Sequence, residues 1–312
     1  TGFLSERSFP AALYPPVWKD LDSMIEPSIR RLEQLSLSAM HVLFSGESGT
    51  GKSVLARWLH SISVQAGQPL VSVSCSSLSP TSWREDLLGT EQQPGWLAQA
   101  AEGTLLFEQV DELSLEMQGV LLPLVQERVY SPVGSLQRQK VQSRLVFTTQ
   151  KRLDMLVQQG HFRKDLYYGL RMVELSLPPL RARRRQVLVE LILSFLRGVC
   201  ARKVPTRITQ AAMEHLLTHP WSGNFRELKH VLASAVLFAQ GEIQLEHLIL
   251  PRDPESSASL PSVGFGVEHD VSLKQLEKMY IHHVLEKYNN NRKQCSEILG
   301  IGRNTLTRKL KE

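Results

Sequence analysis

Cysteine is scarce. Cys75, Cys200 and Cys295 are far apart and odd in number, so neither a disulfide framework nor a zinc site is indicated, and a reducing, cytoplasmic setting fits. Long apolar runs are missing too: none approaches the ~18–20 residues that a membrane span needs. Thr1-Gly2-Phe3-Leu4-Ser5-Glu6-Arg7 lacks the charged-then-apolar pattern of a signal peptide and an initiator Met, which reads as a piece of a longer chain. Neither HExxH nor CxxC occurs, and the adjacent His282 and His283 do not share a helix face, which argues against a metal pair. What is present is ordinary: 312 residues, 42% hydrophobic and 21% charged. That excludes wholesale disorder or a collagen-like fibre and predicts two or three domains.

The net charge of +5 is unevenly placed. From Asp270 to Glu312 nine Lys and Arg stand against five Asp and Glu, the footprint of either a nucleic-acid-binding tail or a solvated helical surface. A second basic run, Arg181 to Arg185, follows Leu177-Pro178-Pro179-Leu180 and reads as a domain junction. Pro251 to Ser262 is rich in Pro and Ser and reads as a linker. Before it, short apolar runs (Val42–Ser45, Leu70–Val73, Thr104–Phe107, Arg144–Thr148) alternate with helical patterns, predicting a mainly parallel sheet flanked by helices. From Arg185 to Leu250 the pattern turns helical, as for a separate subdomain.

Gly46-Glu47-Ser48-Gly49-Thr50-Gly51-Lys52-Ser53 matches GxxxxGK[ST] between a predicted strand and a predicted helix. Glycines let backbone N–H groups turn inward around a phosphate, and the helix N-terminus adds partial positive charge. Lys52 is placed for the β- and γ-phosphates of ATP, and the Ser53 hydroxyl for Mg²⁺.

With these residues in view, the chain resembles the NtrC-type sigma-54 activators, the enhancer-binding proteins of the AAA+ class. The loop is similar to that family's GESGTGK. Val73-Ser74-Cys75 stands where it has a strand ending in Asn-Cys, and Gly103 to Phe107 resembles its Walker B strand. Phe162 to Tyr168 looks like its arginine-finger segment, Leu177 to Arg181 its LPPLR junction, and Trp221 to Leu228 its sensor II motif. The tail from Asn291 to Lys311 resembles its Fis-type helix-turn-helix. The resemblance implies an AAA+ α/β subdomain over 1–180 and a helical lid over 181–250. A linker over 251–271 and an all-α helix-turn-helix domain over 272–312 complete the expected organisation.

The departures are specific. Between Leu88-Gly89 and Gly103 the family carries the GAFTGA loop that touches sigma-54; here the interval is shorter and holds no such motif. The family's Walker B Asp-Glu pair falls on Glu108-Gln109. Glu108 can still face Mg²⁺, but the Gln109 amide cannot accept a proton from an attacking water. A shifted strand register would instead offer Asp111-Glu112, at the cost of burying Glu108 and Gln109. The sensor I Asn falls on Gln150. Arg163 matches the first arginine of the finger segment, while the second position holds Gly169, with Arg171 nearby. Arg226 matches the sensor II arginine. By this reading Gly46 to Ser53, Gln150 and Arg226 bind nucleotide, Ser53 and Glu108 face Mg²⁺, and Arg163 reaches a neighbour's site.

Leu273, Leu276, Tyr280, Val284 and Tyr288 recur at helical spacing. Arg292–Leu299, Gly300-Ile301-Gly302 and Arg303–Lys311 then follow a helix, turn, helix plan. Arg303 and Asn304 suit base edges, Thr305, Arg308 and Lys309 suit phosphates, and Thr307 lies among them. The expected protein is a regulator of double-stranded DNA that works on RNA polymerase holoenzyme as a homo-oligomer, dimer to hexamer, away from membranes. Its AAA+ domain is expected to bind ATP, or another nucleotide such as a cyclic dinucleotide, to hydrolyse it weakly or not at all, and to act independently of sigma-54. Two alternatives stand beside it: an ATP-hydrolysing sigma-54-dependent activator, and a P-loop ATPase with an incidental tail.

Overall fold

The computed structural model describes residues 25–79, 81–199, 207–239, 241–250 and 281. The chain divides into two units, Thr1–Leu250 and Pro251–Glu312, and all the described residues but residue 281 lie in the first. The linker, the helix-turn-helix pattern and its candidate DNA-contacting residues Arg303, Asn304, Thr305, Thr307, Arg308 and Lys309 lie outside the described residues.

The strands are β1 (Val42–Ser45), β2 (Leu70–Ser74), β3 (Thr104–Glu108), the two-residue β4 (Val129–Tyr130) and β5 (Gln139–Lys140), then β6 (Arg144–Thr149) and β7 (Glu174–Ser176), with short apolar runs at the heart of β1, β3 and β6. Five of them make a parallel sheet in the order β2-β3-β6-β1-β7, and β4 and β5 pair apart as a hairpin. Leu43 lies opposite Phe147 and Phe107 opposite the same residue, so the carboxyl ends of β1, β3 and β6 come out together. Ligand crevices of open parallel sheets form at that edge.

Both faces of the sheet are buried, which explains strands that read as continuous apolar runs. Successive residues point to opposite faces. Val42, Phe44, Leu106, Val146 and Leu175 face one core, with α1 (Glu26–Leu35) and α2 (Lys52–Ile62). Leu43, Leu105, Phe107, Leu145 and Phe147 face the other. It is covered by α3 (Trp83–Leu88), α4 (Trp96–Ala100), α5 (Leu115–Gln126), α6 (Leu153–Gln158) and α7 (Lys164–Leu170). Phe107 stacks on Phe147 at 5.4 Å between ring centroids.

The helical segment consists of α8 (Arg185–Val199), α9 (Gln210–Thr218) and α10 (Asn224–Phe238), with a two-residue pair β8 (Arg207–Ile208) and β9 (Glu242–Ile243). Leu191, Ile192, Phe195, Leu216, Trp221, Leu228 and Leu232 join the same core as α1 and α2. The segment is thus continuous in packing with the α/β layer. Trp221 is fully buried, and its indole N–H donates to Leu216 O at 2.9 Å.

The opposite edge of the sheet holds buried cations and imidazoles. Arg144, at the start of β6, is fully buried and donates to Met40 O and Leu35 O, both at 3.1 Å, which ties the last turn of α1 to the sheet. Burial pushes its guanidinium down to about 10. His41 donates from Nε2 to Gly169 O at 2.7 Å, and His60 Nδ1 meets Thr104 Oγ1 at 2.9 Å. Burial lowers the pKa of both rings. Among the described residues no helix is long and apolar enough to cross a membrane.

Candidate nucleotide site

The loop after β1 takes its shape from three glycines with positive φ: Gly46 (+144°), Gly49 (+75°) and Gly51 (+99°). At Gly49 two constraints coincide. The conformation favours glycine, and a Cβ would lie 2.2 Å from Gly223 O, so no side chain fits. Gly51 leads into α2 without a side-chain cap, leaving the first N–H groups of that helix turned toward the loop. Lys52 is buried, and its Nζ donates to Gly46 O at 2.6 Å and Glu47 O at 2.7 Å. Burial lowers its pKa to about 8, and Arg226 adds to the effect, while Asp111, Glu108 and Glu47 oppose it.

The helical segment clamps the loop from outside. Asn224 is fully buried with φ +52°; its Nδ2 donates to Ser48 O at 2.9 Å, and its Oδ1 accepts from Leu180 N at 2.7 Å. Phe225 N donates to Gly49 O at 3.0 Å, and Arg226 Nη1 to Ser48 Oγ at 3.0 Å. The Glu47 carboxylate receives both forks of Arg181 and Asn224 Nδ2 at 3.2 Å. The Arg181 guanidinium, and then Asn224, hold that carboxyl below the usual range. Arg183 lies over the Phe225 ring, its guanidinium carbon 4.7 Å from the centroid, and Arg185 pairs with Glu214. Arg181 thus joins the junction to the phosphate loop, while Arg183 and Arg185 contact the helical segment.

Across from the loop, β3 ends at Glu108 in the unshifted register. Ser53 Oγ donates to Glu108 Oε2 at 2.6 Å, Ser72 Oγ to Oε1 at 2.8 Å, and Arg57 stands 3.7 Å away. Gln109 adopts the left-handed conformation (φ +63°). Its N–H reaches Thr148 Oγ1 at 3.1 Å, and its amide oxygen accepts from Ser76 Oγ at 2.8 Å, on the β2 side. The chain then turns through Val110–Glu112, anchored by fully buried Val110. That turn places Asp111 Oδ1 2.9 Å from Gln150 N, at the end of β6. Sequence reasoning admitted Asp111 only through a register shift; a one-residue left-handed turn brings it in without one. Glu112 instead pairs with Lys151 at 2.8 Å. Cys75 is buried, and burial, with Asp111 and Glu108 nearby, pushes its thiol up to about 12, so it is no nucleophile.

Arg163 precedes α7 on the surface. Its guanidinium is held by Asp165 (3.1 and 2.8 Å), while its backbone N–H donates to Gln118 Oε1 at 2.8 Å. Gly169 faces Val125, 3.2 Å from where its Cβ would stand. Arg171 bonds the Tyr167 hydroxyl at 2.6 Å and Glu174 at 3.0 Å. It lines a cavity of about 430 Å³ together with Gly46, Glu47 and Gln150. The structure thus gathers Gly46 to Ser53, Glu108, Gln109, Gln150 and Arg226 at one edge, and leaves Arg163 on the surface with Asp165 as its partner.

Residues 20–176 match the sigma-54 interaction domain, 181–259 the AAA+ ATPase lid domain, and 272–312 the Fis-family bacterial regulatory domain. The chain belongs to the sigma-54 activator family. The regulatory protein AtoC of Escherichia coli is 35% identical over 89% of this chain and 64% of its own. The transcriptional regulatory protein FlbD of Caulobacter vibrioides is 33% identical over 93% and 69%. The chain thus spans just under two thirds of AtoC. NtrX from Brucella abortus, solved in complex with ATP, superposes with a TM-score of 0.70 at 26% identity, over all of this chain and 69% of NtrX.

The interval after α3, which holds no GAFTGA sequence, is a closed turn. Thr90 N donates to Gln93 O at 2.9 Å, and Thr90 Oγ1 accepts from Gln92 N and Gln93 N. Gly89 and Gly95 approach so closely that a Cβ on Gly95 would lie 2.3 Å from Gly89 N. Val133 N, from the loop between β4 and β5, caps the turn on Gly89 O at 2.8 Å. Among the described residues, no projecting loop stands between α3 and α4.

Proposed function

We propose that this sigma-54-activator-family regulator binds a nucleoside di- or triphosphate in its AAA+ domain, hydrolyses it weakly and regulates transcription without remodelling sigma-54 holoenzyme. The closed turn at 89–95 carries this reading: the family's coupling element would have to project there, and the backbone spends its hydrogen bonds on closing the turn instead. The Gln109 amide supports weak hydrolysis, since it accepts no proton.

Gly46 to Gly51 turn N–H groups to the phosphates, and Lys52 moves from its loop carbonyls to the β- and γ-oxygens. The touching Ser53 hydroxyl and Glu108 carboxylate form a hard oxygen donor set that fits Mg²⁺. Mg²⁺, when bound, neutralises phosphate charge. Gln150 and Arg226 face the nucleotide from the sheet and the lid, and Arg163 exchanges Asp165 for a neighbouring copy's nucleotide on oligomerisation. Double-stranded DNA is read by Arg303 and Asn304, with Thr305, Thr307, Arg308 and Lys309 at the backbone. The setting is cytoplasmic and the polymerase partner the housekeeping holoenzyme.

Transcription reconstituted with purified polymerase tests this. Regulation with the housekeeping holoenzyme, and none with sigma-54 holoenzyme, is the expected outcome. ATP-dependent open-complex formation by sigma-54 holoenzyme would overturn it and leave the hydrolysing activator in its place.

A further inference from the structure

We propose that Asp111, not Gln109, is the carboxylate that serves the phosphate side of this site and sustains its slow turnover. The inference rests on the nucleotide-binding reading above and deepens it. The left-handed Gln109 splits the acid edge in two. The Gln109 amide is tied to Ser76 on the β2 side, while the next turn carries Asp111 back over β6. There one carboxylate oxygen is fixed by Gln150 N, the sensor position at the end of the strand next to β1. The second oxygen makes no hydrogen bond among the described residues. Of the carboxylates acting on the Lys52 ammonium, Asp111 acts most strongly, ahead of Glu108 and Glu47. Glu108 is already engaged by Ser53, Ser72 and Arg57, and Glu112 is turned to Lys151. Asp111 alone among these acids combines a fixed position, one oxygen held by Gln150 N, with a second oxygen that makes no hydrogen bond among the described residues. A left-handed non-glycine residue beside such a group is where backbone strain is found at working sites.

Hydrolysis consumes only ATP and water. Water attacks the γ-phosphorus of ATP, the bond from that phosphorus to the β,γ-bridging oxygen breaks, and ADP leaves. The water proton passes to the free oxygen of Asp111 and from there to solvent, giving ADP, inorganic phosphate and H⁺.

Asp111→Asn separates this role from a structural one, because the amide oxygen can still accept from Gln150 N. Phosphate release from Mg-ATP and equilibrium binding of ATP and ADP are measured on the full chain, beside a Lys52→Ala control. The expected result is measurable wild-type turnover above the control, a fall of about 10²-fold in Asp111→Asn, and ATP affinity that is equal or severalfold tighter. In that variant Gln109→Glu recovers part of the lost rate. Turnover unchanged within twofold in Asp111→Asn overturns the proposal, as does wild-type turnover no higher than the control. A tenfold loss of ATP affinity in Asp111→Asn also overturns it, making Asp111 an organising residue. Absence of nucleotide binding by the wild type would instead refute the underlying reading.

Discussion

The loop wall and the acid wall of the nucleotide site meet at Lys52, yet they are built from different material. The loop wall is backbone: glycine conformations, carbonyls and N–H groups, with the lid's Asn224, Phe225 and Arg226 bonded to it. The acid wall is side chain: Glu108 at a strand end, Gln109 turned aside, Asp111 on the following turn. A phosphate cradle made of backbone depends on several residues at once and on their packing, so a change in any of them disturbs the fold. A proton acceptor is one functional group on the surface of an intact scaffold, so it can be replaced or relocated with the sheet left as it was.

The largest effect should come from attacking the loop wall. Gly49→Val faces both the positive φ and the contact with Gly223 O; strain of about 1–3 kcal/mol for such a conformation comes on top of a backbone clash. Loss of nucleotide binding, seen by titration calorimetry, is expected. Retained affinity would show that the loop wall tolerates side chains and remove the contrast. Next, Asn224→Ala leaves Leu180 N and Ser48 O without their partner. Removing a partner from a buried polar group costs about 1–3 kcal/mol, to be read as a lower denaturant midpoint with unchanged slope. An unchanged midpoint would mean that the lid is not fastened through Asn224. On the acid wall, Gln109→Glu restores a carboxylate and should raise phosphate release about tenfold with no change in stability. A fall in rate would show that the amide is required.

The pH profile probes the opposite edge of the sheet. His41 and His60 are held neutral by burial, below their ordinary value near 6.5. At pH above about 6.5 neither folded nor unfolded chain protonates them, and stability is full. As pH falls below it, the unfolded chain takes up protons that the folded one refuses, so stability declines. Chemical denaturation at stepped pH should show that decline, shallower in His60→Gln; identical profiles would refute the assignment. Arg181→Ala should matter least, since its pair with Glu47 is about half exposed and such pairs contribute roughly 0–1 kcal/mol. A larger loss would make the seam electrostatic rather than apolar.

The legible part of this protein is the local part. Gly46 to Ser53 could be read directly because every residue of that motif lies within one strand–loop–helix passage. Four of the five strands of the parallel sheet could be read because burial makes their sequences largely apolar, while the short edge strand β7, Glu174-Leu175-Ser176, and the two-residue strands of the β4–β5 hairpin carry too little pattern to be seen. The clamp of Asn224 on Glu47 was not legible, as those residues are 177 apart in the chain. A Gly-Asn step before a helix was the available signal, since Asn tolerates the left-handed conformation found there.

The residue pattern alone carries the phosphate loop and four of the five strands of the parallel sheet, because each depends on which groups a short segment holds. The folded chain adds the place of Asp111 beside Gln150, the partners of Arg226 and Arg163, and the core that lid and sheet share. Those depend on a single left-handed residue and on packing between distant segments, and a side chain's working position is set by the backbone that others hold in place.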